Sequence, residues 1–391
     1  LIYNYLFSED MIQSITVYSN GDSNDLATWS NVPYLFCRAL EKRGIKVNRV
    51  NIEANKILKR LFNAASYYLY RKILHKNACP EYNRTWMHRF LTERKISKAN
   101  KMFPDTDLNL FLSYAFINKK SDKPNVLWCD WTDRVSIERM GRKPQWYERA
   151  GLRYEDNVLA NADVLYTMFP VCKEKMEKYY SKEFRYLNRN VINTVYNGTF
   201  DLKRNINTRF ASKKIIFIGN HRYKSAAYEL ANTYNRLKKF HTNLTLDIIG
   251  MKKSELSEIY SSDGITFHGY LNKRYQSQCD LYYKLIQEAT ILVNPARQWG
   301  AYSSTVEAMY YGCPVVVSPY DDFVKEFGVN IDFGIYANNK NDLQYCIDMI
   351  LNATYEKYRQ MSICAHNKVA NHTWDNYIDC FLSDLNSIGI S

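Results

Sequence analysis

The stretch at residues 291–319, ILVNPARQWGAYSSTVEAMYYGCPVVVSP, constrains the chain most, because it fits two buried strands, a tight turn and a short helix into under thirty residues. Ile291-Leu292-Val293 and Val315-Val316-Val317 are continuous apolar runs rich in β-branched side chains, the pattern of parallel strands covered on both faces. Between them the sequence predicts one helix. Ser303 or Ser304 stands at its N-cap, Glu307 follows Ser304 by three residues as in a capping box, and Gly312 sits where a left-handed residue closes the C-terminus. The turn Trp299-Gly300-Ala301-Tyr302, running on into Ser303, Ser304 and Thr305, then presents backbone N–H groups at the C-terminal edge of a sheet. Open α/β folds bind anions at that edge.

At 391 residues the chain is longer than a single core usually supports, so two domains are expected. No apolar run approaches the roughly 18 residues that a membrane span needs, and no secretory signal is visible. The nine cysteines form no CxxC pair, which argues against a disulfide framework or a zinc site and fits a reducing cytoplasm. The net charge of +13 is concentrated: residues 55–102 hold twelve Lys or Arg against Glu81 and Glu93. Such a block points to an anionic partner, whether a membrane surface, a nucleic acid or a charged acceptor.

Taken in order, residues 15–18 read as a first strand and 46–52 as a second. The helix between them is capped by Ser30 or Asn31, carries Pro33 in its first turn and stops at Gly44. This is a β-loop-α-β unit without the GxGxxG fingerprint of a dinucleotide site. Residues 56–76 place Ile57, Leu58, Leu61, Phe62, Ala65, Leu69 and Ile73 at helical recurrence with lysines and arginines between them, an amphipathic basic helix. A second basic segment, 84–101, follows a break at Pro80. Residues 108–116 and 126–129 read as buried strands, the latter running into Asp130 and Asp133 at the ligand edge. Residues 201–212, polar and basic, read as a linker. Then Lys214 to Ile218 form a strand ending at Gly219-Asn220, with Arg222 and Lys224 in the loop beyond it.

The central stretch resembles the signature of the family 4 glycosyltransferases of the GT-B fold, matching it at Glu307, Ala308, Met309, Gly312, Pro314, Val315 and Val316. Gly300 also matches, but Trp299 stands where the family has its first glutamate. The resemblance implies an α/β, GT-B architecture of two Rossmann-like domains facing across a cleft. Their expected extents are residues 1–200, which bind the acceptor, and 201–374, which bind a nucleotide-sugar, with 375–391 crossing back as a C-terminal helix. It further implies that Glu307 holds the ribose, that the turn 299–302 with Ser303, Ser304 and Thr305 faces the phosphates and sugar, and that Gly219, Asn220, Arg222 and Lys224 lie by the diphosphate. Gly21 in the first loop faces the donor phosphates, and Asp130 and Asp133 touch the transferred sugar. Val195-Tyr196-Asn197-Gly198 matches the family's exit from the first domain.

The activity so implied is retaining, metal-independent transfer of a sugar to a hydroxyl of a surface-glycan or lipid-linked acceptor. No cofactor is expected beyond the nucleotide-sugar substrate. The enzyme would be cytoplasmic, with the basic block at 56–101 against an anionic inner membrane face. Its setting would be polysaccharide biosynthesis of the lipopolysaccharide or capsule kind. Two rivals share the fold: a nucleic-acid-modifying glucosyltransferase, and a non-catalytic glycan- or membrane-binding relative that lost turnover with the first glutamate. An epimerase is a weaker alternative.

Overall fold

The structure, a computed structural model, describes residues 12–76, 78–187, 200–256, 263–297 and 302–391. The lead at 1–10, the exit segment 195–198 and the turn residues Trp299, Gly300 and Ala301 lie outside the described residues. The chain divides into two units, Leu1–Arg189 together with Tyr377–Ser391, and Asn190–Asn376.

In the first unit, β1 (Ser14–Ser19) leads through α1 (Val32–Glu41) to β2 (Lys46–Asn51), and α2 (Lys56–Tyr67), extended by a π turn at Tyr68–Ile73, precedes α3 (Trp86–Met102). Then follow β3 (Leu108–Phe111), β4 (Asn125–Cys129), α4 (Asp133–Arg139), α5 (Arg149–Ala160), β5 (Val164–Thr167), α6 (Pro170–Tyr179) and β6 (Arg185–Tyr186). The six strands lie in the order β2-β1-β3-β4-β5-β6, all parallel. Ile15, Val17, Leu110, Val126 and Leu127 are fully buried, as strands covered on both faces must be. The third strand stops at Phe111, short of the 108–116 run. Beyond it Leu112, Tyr114 and Phe116 are buried in the loop that follows. Asn31 does hold the N-cap of α1, but its side chain turns away and donates to the Leu26 carbonyl instead of capping the helix.

In the second unit, α7 (Leu202–Ser212) feeds β7 (Lys214–Ile218), α8 (Lys224–Leu237), β8 (Thr245–Ile249), β9 (Ile265–Gly269), α9 (Gln276–Glu288) and β10 (Ile291–Asn294). After these come α10 (Ser303–Tyr310), β11 (Val315–Val317), α11 (Asp321–Phe327), β12 (Gly334–Tyr336), α12 (Lys340–Leu351), α13 (Tyr355–Val369) and α14 (Trp374–Ser387). The sheet is again parallel, in the order β12-β11-β10-β7-β8-β9. Residues 202–212 are therefore a helix, not a linker. Leu202, Ile206 and Phe210 recur at i, i+4 and i+8 and pack on the unit's core, a stripe hidden by the polar residues between them. Gly312 has φ +75°, and a Cβ there would stand 2.4 Å from Leu202 Cδ1, so this turn needs glycine both for its backbone and for its contact with α7.

From Tyr377 onward, α14 belongs to the first unit. Trp128 Nε1 donates to Tyr377 Oη at 2.5 Å, and Asp384 accepts from Tyr166 Oη at 2.6 Å and Arg185 Nε at 2.5 Å. The Arg185 guanidinium holds the Asp384 carboxyl below the usual carboxylate range. Phe381 packs edge-on against Phe36, their ring centres 5.4 Å apart, so the helix closes the first unit's core with aromatic and ionic contacts alike.

Candidate functional site

In the second unit the strand ends gather the candidate residues. At the end of β7, Gly219 N donates to the Ile249 carbonyl at 3.0 Å, and Asn220 Oδ1 accepts from Arg222 N at 3.0 Å, which fixes the start of the loop. The side chains of Arg222 and Lys224 project into solvent, with the Lys224 ammonium 5.4 Å from the Tyr228 ring centre. Neither has an acidic partner among the described residues, so both are available to an anion.

At the start of α10 the capping box does not form. Tyr302 holds the N-cap position, and its carbonyl accepts from Thr305 N and Val306 N, each at 3.0 Å. Ser303 and Ser304 sit inside the helix and provide no side-chain cap. Thr305 is buried, and its hydroxyl has no hydrogen-bond partner among the described residues. Glu307 reaches into the protein instead of back to the helix start. Its side chain is 4% exposed and its carboxylate gathers three donors from two other elements. Lys273 Nζ lies 2.9 Å from Oε1 and 3.2 Å from Oε2, Tyr282 Oη donates to Oε2 at 2.7 Å, and Tyr283 Oη donates to Oε1 at 2.9 Å.

The sequence explains how those donors converge. Lys273 lies just beyond β9 in a turn that Asn272 pins, its Oδ1 accepting from Arg274 N and its carbonyl from Tyr275 N, each at 3.0 Å. Tyr282 and Tyr283, neighbours on α9, bury against the same carboxylate with their rings perpendicular. The Lys273 ammonium also sits 4.1 Å from the Tyr282 ring centre, so its charge is met by a carboxylate and a π face together. Burial first, then the Glu307 charge, push both phenols well above their ordinary value, so they act as donors throughout the usual pH range. None of Lys273, Tyr282 and Tyr283 stands out in the sequence. A lysine in a loop reads as a solvated cation and a pair of helix tyrosines as core.

In the first unit Gly21 follows β1 with φ +124°, and a Cβ there would meet Thr28 Cγ2 at 2.8 Å, so the tight first loop depends on glycine. Asp130 leaves β4 half-buried. Its Oδ1 accepts from Trp131 N at 2.8 Å and from Cys129 Sγ at 3.3 Å. Burial pushes its carboxyl above the usual range against the pull of those hydrogen bonds.

Asp133 belongs to a different system. It opens α4, whose N-cap is Thr132, and pairs with Arg84 at 3.4 Å. Arg84 also binds the buried Glu148, which Arg142 holds from the other side at 2.7 Å. Burial alone would raise the Glu148 carboxyl, but Arg142, the Gln145 amide and Arg84 bring it down to about 2. Asp133, its side chain 46% exposed, lies at the rim of an ionic clasp between α4, α5 and the segment before α3. The structure sets Asp130 and Asp133 in separate environments.

Two parallel sheets with candidate ligand groups at their C-terminal edges define the class: the fold is that of the GT-B glycosyltransferases, and the chain is a glycosyltransferase. More narrowly, residues 212–352, which hold Arg222, Lys224, Lys273 and Glu307, match the family described as glycosyl transferases group 1. Similar solved structures span nearly the whole chain. Sucrose-phosphate synthase from Thermosynechococcus elongatus is 14% identical with a TM-score of 0.66, covering 97% of this chain and 100% of its own. WaaG, a glycosyltransferase involved in lipopolysaccharide biosynthesis, is 11% identical with a TM-score of 0.62, covering 95% and 99%. Anabaena HepE, solved with UDP and glucose, is 12% identical with a TM-score of 0.58, covering 96% and 100%. Curated protein sequences give no match.

Proposed function

We propose that this chain transfers a sugar from a nucleotide-sugar to a hydroxyl of a surface-glycan or lipid-linked acceptor, with retention and without a metal ion. The observation that carries the reading is Glu307, a buried carboxylate midway along α10, the helix after β10, inside the segment that matches the group 1 family. Its role is to accept the ribose hydroxyls. Arg222 and Lys224, exposed at the end of β7, meet the diphosphate, and Asp130 serves the sugar in the first unit. In such a transfer the leaving diphosphate oxygen takes the acceptor's proton on the same face, so the protein supplies position and charge stabilisation. Titration of a panel of nucleoside diphosphates tests this. Glu307→Gln, checked for folding, is expected to weaken the best binder by about 1.5–3 kcal/mol, the worth of a charge-assisted hydrogen bond. Unchanged affinity would remove Glu307 from the ribose site.

The acceptor side of the reading includes an anionic membrane surface, and α2 supports it. No helix among the described residues is long and apolar enough to cross a membrane. Yet α2 turns Phe62, Asn63 and Ser66 toward the protein, where Tyr82 N donates to Asn63 Oδ1 at 2.9 Å and Ser66 Oγ donates to the Pro80 carbonyl at 2.7 Å. Its outer face, continued into the π turn, leaves Ile57, Leu61 and Tyr68 at 70%, 64% and 63% exposure, and Lys56 and Arg60 project beside them. The apolar positions thus divide between two faces instead of all packing inward. An exposed apolar stripe rimmed by cations suits the headgroup boundary of an anionic bilayer. Glutamine at Lys56, Lys59, Arg60, Arg71 and Lys72 is expected to reduce sedimentation with anionic vesicles and leave neutral ones unaffected, as raised salt would. A wild-type chain that ignores anionic vesicles would reject this partner.

A further inference from the structure

Glu307 offers no vacant acceptor site. A carboxylate has two in-plane lone pairs on each oxygen. Here Oε1 is taken by Lys273 and Tyr283, and Oε2 by Lys273 and Tyr282, at 2.7–3.2 Å. A pair of ribose hydroxyls can donate to this group only by displacing donors already in place. Of the three, Lys273 is the one on a flexible stem in a surface turn, whereas Tyr282 and Tyr283 are rigid rings held in the core on α9.

We infer that Lys273 competes with the ribose for Glu307, acting as a latch that the donor nucleotide must release before it is held. The inference rests on the ribose reading of Glu307 given above and adds to it a residue that sets nucleotide affinity and selectivity. In the empty protein the lysine satisfies a buried carboxylate that would otherwise be costly to keep. When the nucleotide binds, its two hydroxyls take over the Glu307 lone pairs, and the released ammonium reaches the solvent-facing end of its turn. Because only the unlatched form binds, the apparent dissociation constant is the intrinsic one divided by the unlatched fraction. Lys273 is a positioning residue: it acts through Glu307 and need not touch the donor.

The test compares a nucleoside diphosphate with its 2′,3′-dideoxy counterpart by calorimetry at pH 8, taking UDP, GDP and ADP in turn and following the tightest. The quantity read is the ratio of the two dissociation constants. Any general loss of positive charge affects both ligands and cancels in that ratio. Lys273→Met is expected to raise the preference for the ribonucleotide about tenfold. Tyr282→Phe, which vacates one lone pair and leaves the lysine in place, is expected to raise it by a smaller factor and reads the same competition should the methionine variant fail to fold. A preference that stays the same or falls in both variants overturns the latch. A wild-type preference that persists in Glu307→Gln would instead show that the ribose lies elsewhere, which is a failure of the underlying reading and not of the latch alone.

Discussion

Each unit buries a glutamate near the C-terminal edge of its sheet, and the two are treated in opposite ways. Glu307 in the second unit meets a lysine and two phenols, so its charge is answered by a cation and its lone pairs are filled. Glu155 in the first unit meets only a helix start. Its Oε1 accepts from Asp133 N at 2.7 Å, its Oε2 has no partner among the described residues, and no cation there pairs with it. Burial, followed by the neighbouring Asp133 charge, pushes the Glu155 carboxyl far above the ordinary range. A helix N-terminus contributes about half a unit of positive charge, which does not offset full burial, whereas Glu307 faces a whole ammonium at 2.9 Å. The same fold therefore presents an ion pair at one edge and a protonatable acid at the other.

Glutamine at each position is the sharpest way to break that contrast. Glu307→Gln removes the opposite charge from the Lys273 ammonium, only 10% exposed, and is expected to cost about 3 kcal/mol in chemical denaturation, as removal of one charge of a buried pair does. Glu155→Gln keeps an oxygen for the Asp133 amide and is expected to change stability by less than about 1 kcal/mol at pH 5. Its effect should drift with pH. A carboxyl raised in the folded state contributes stability that is complete below its unfolded value, and that contribution is lost as pH rises through the folded value. Between pH 5 and pH 8 the Glu155→Gln variant should thus gain on the wild type, a trend that denaturation midpoints across this range would check. A flat difference would mean that Glu155 ionises as an ordinary surface carboxylate.

The contrast also marks what the sequence makes legible. Continuous β-branched runs announce parallel strands at 291–293 and 315–317, because a strand covered on both faces has no polar side to show. Gly312 is readable for the same kind of reason, since a left-handed turn against Leu202 leaves no room for a side chain. Glu307 is found by its place but not by its partners. The spacing from Ser304 suggests a capping box, while the donors that hold it come from 24 to 34 residues earlier, across a strand and a helix that local spacing cannot relate. Residues 201–212 read as a linker because polar residues outnumber the three apolar positions that bury the helix. For α2 the periodicity reveals a helix and its charge, but not which apolar side meets the protein.

The roles proposed for the second unit turn on whether Glu307 receives the donor's ribose. A crystal structure with the tightest nucleoside diphosphate tests it most directly. The expected result is both ribose hydroxyls within hydrogen-bond distance of the Glu307 carboxylate, with the Lys273 ammonium withdrawn from at least one of its oxygens. A nucleotide bound with its ribose elsewhere, and the Lys273–Glu307 pair intact at 2.9 Å, would contradict it.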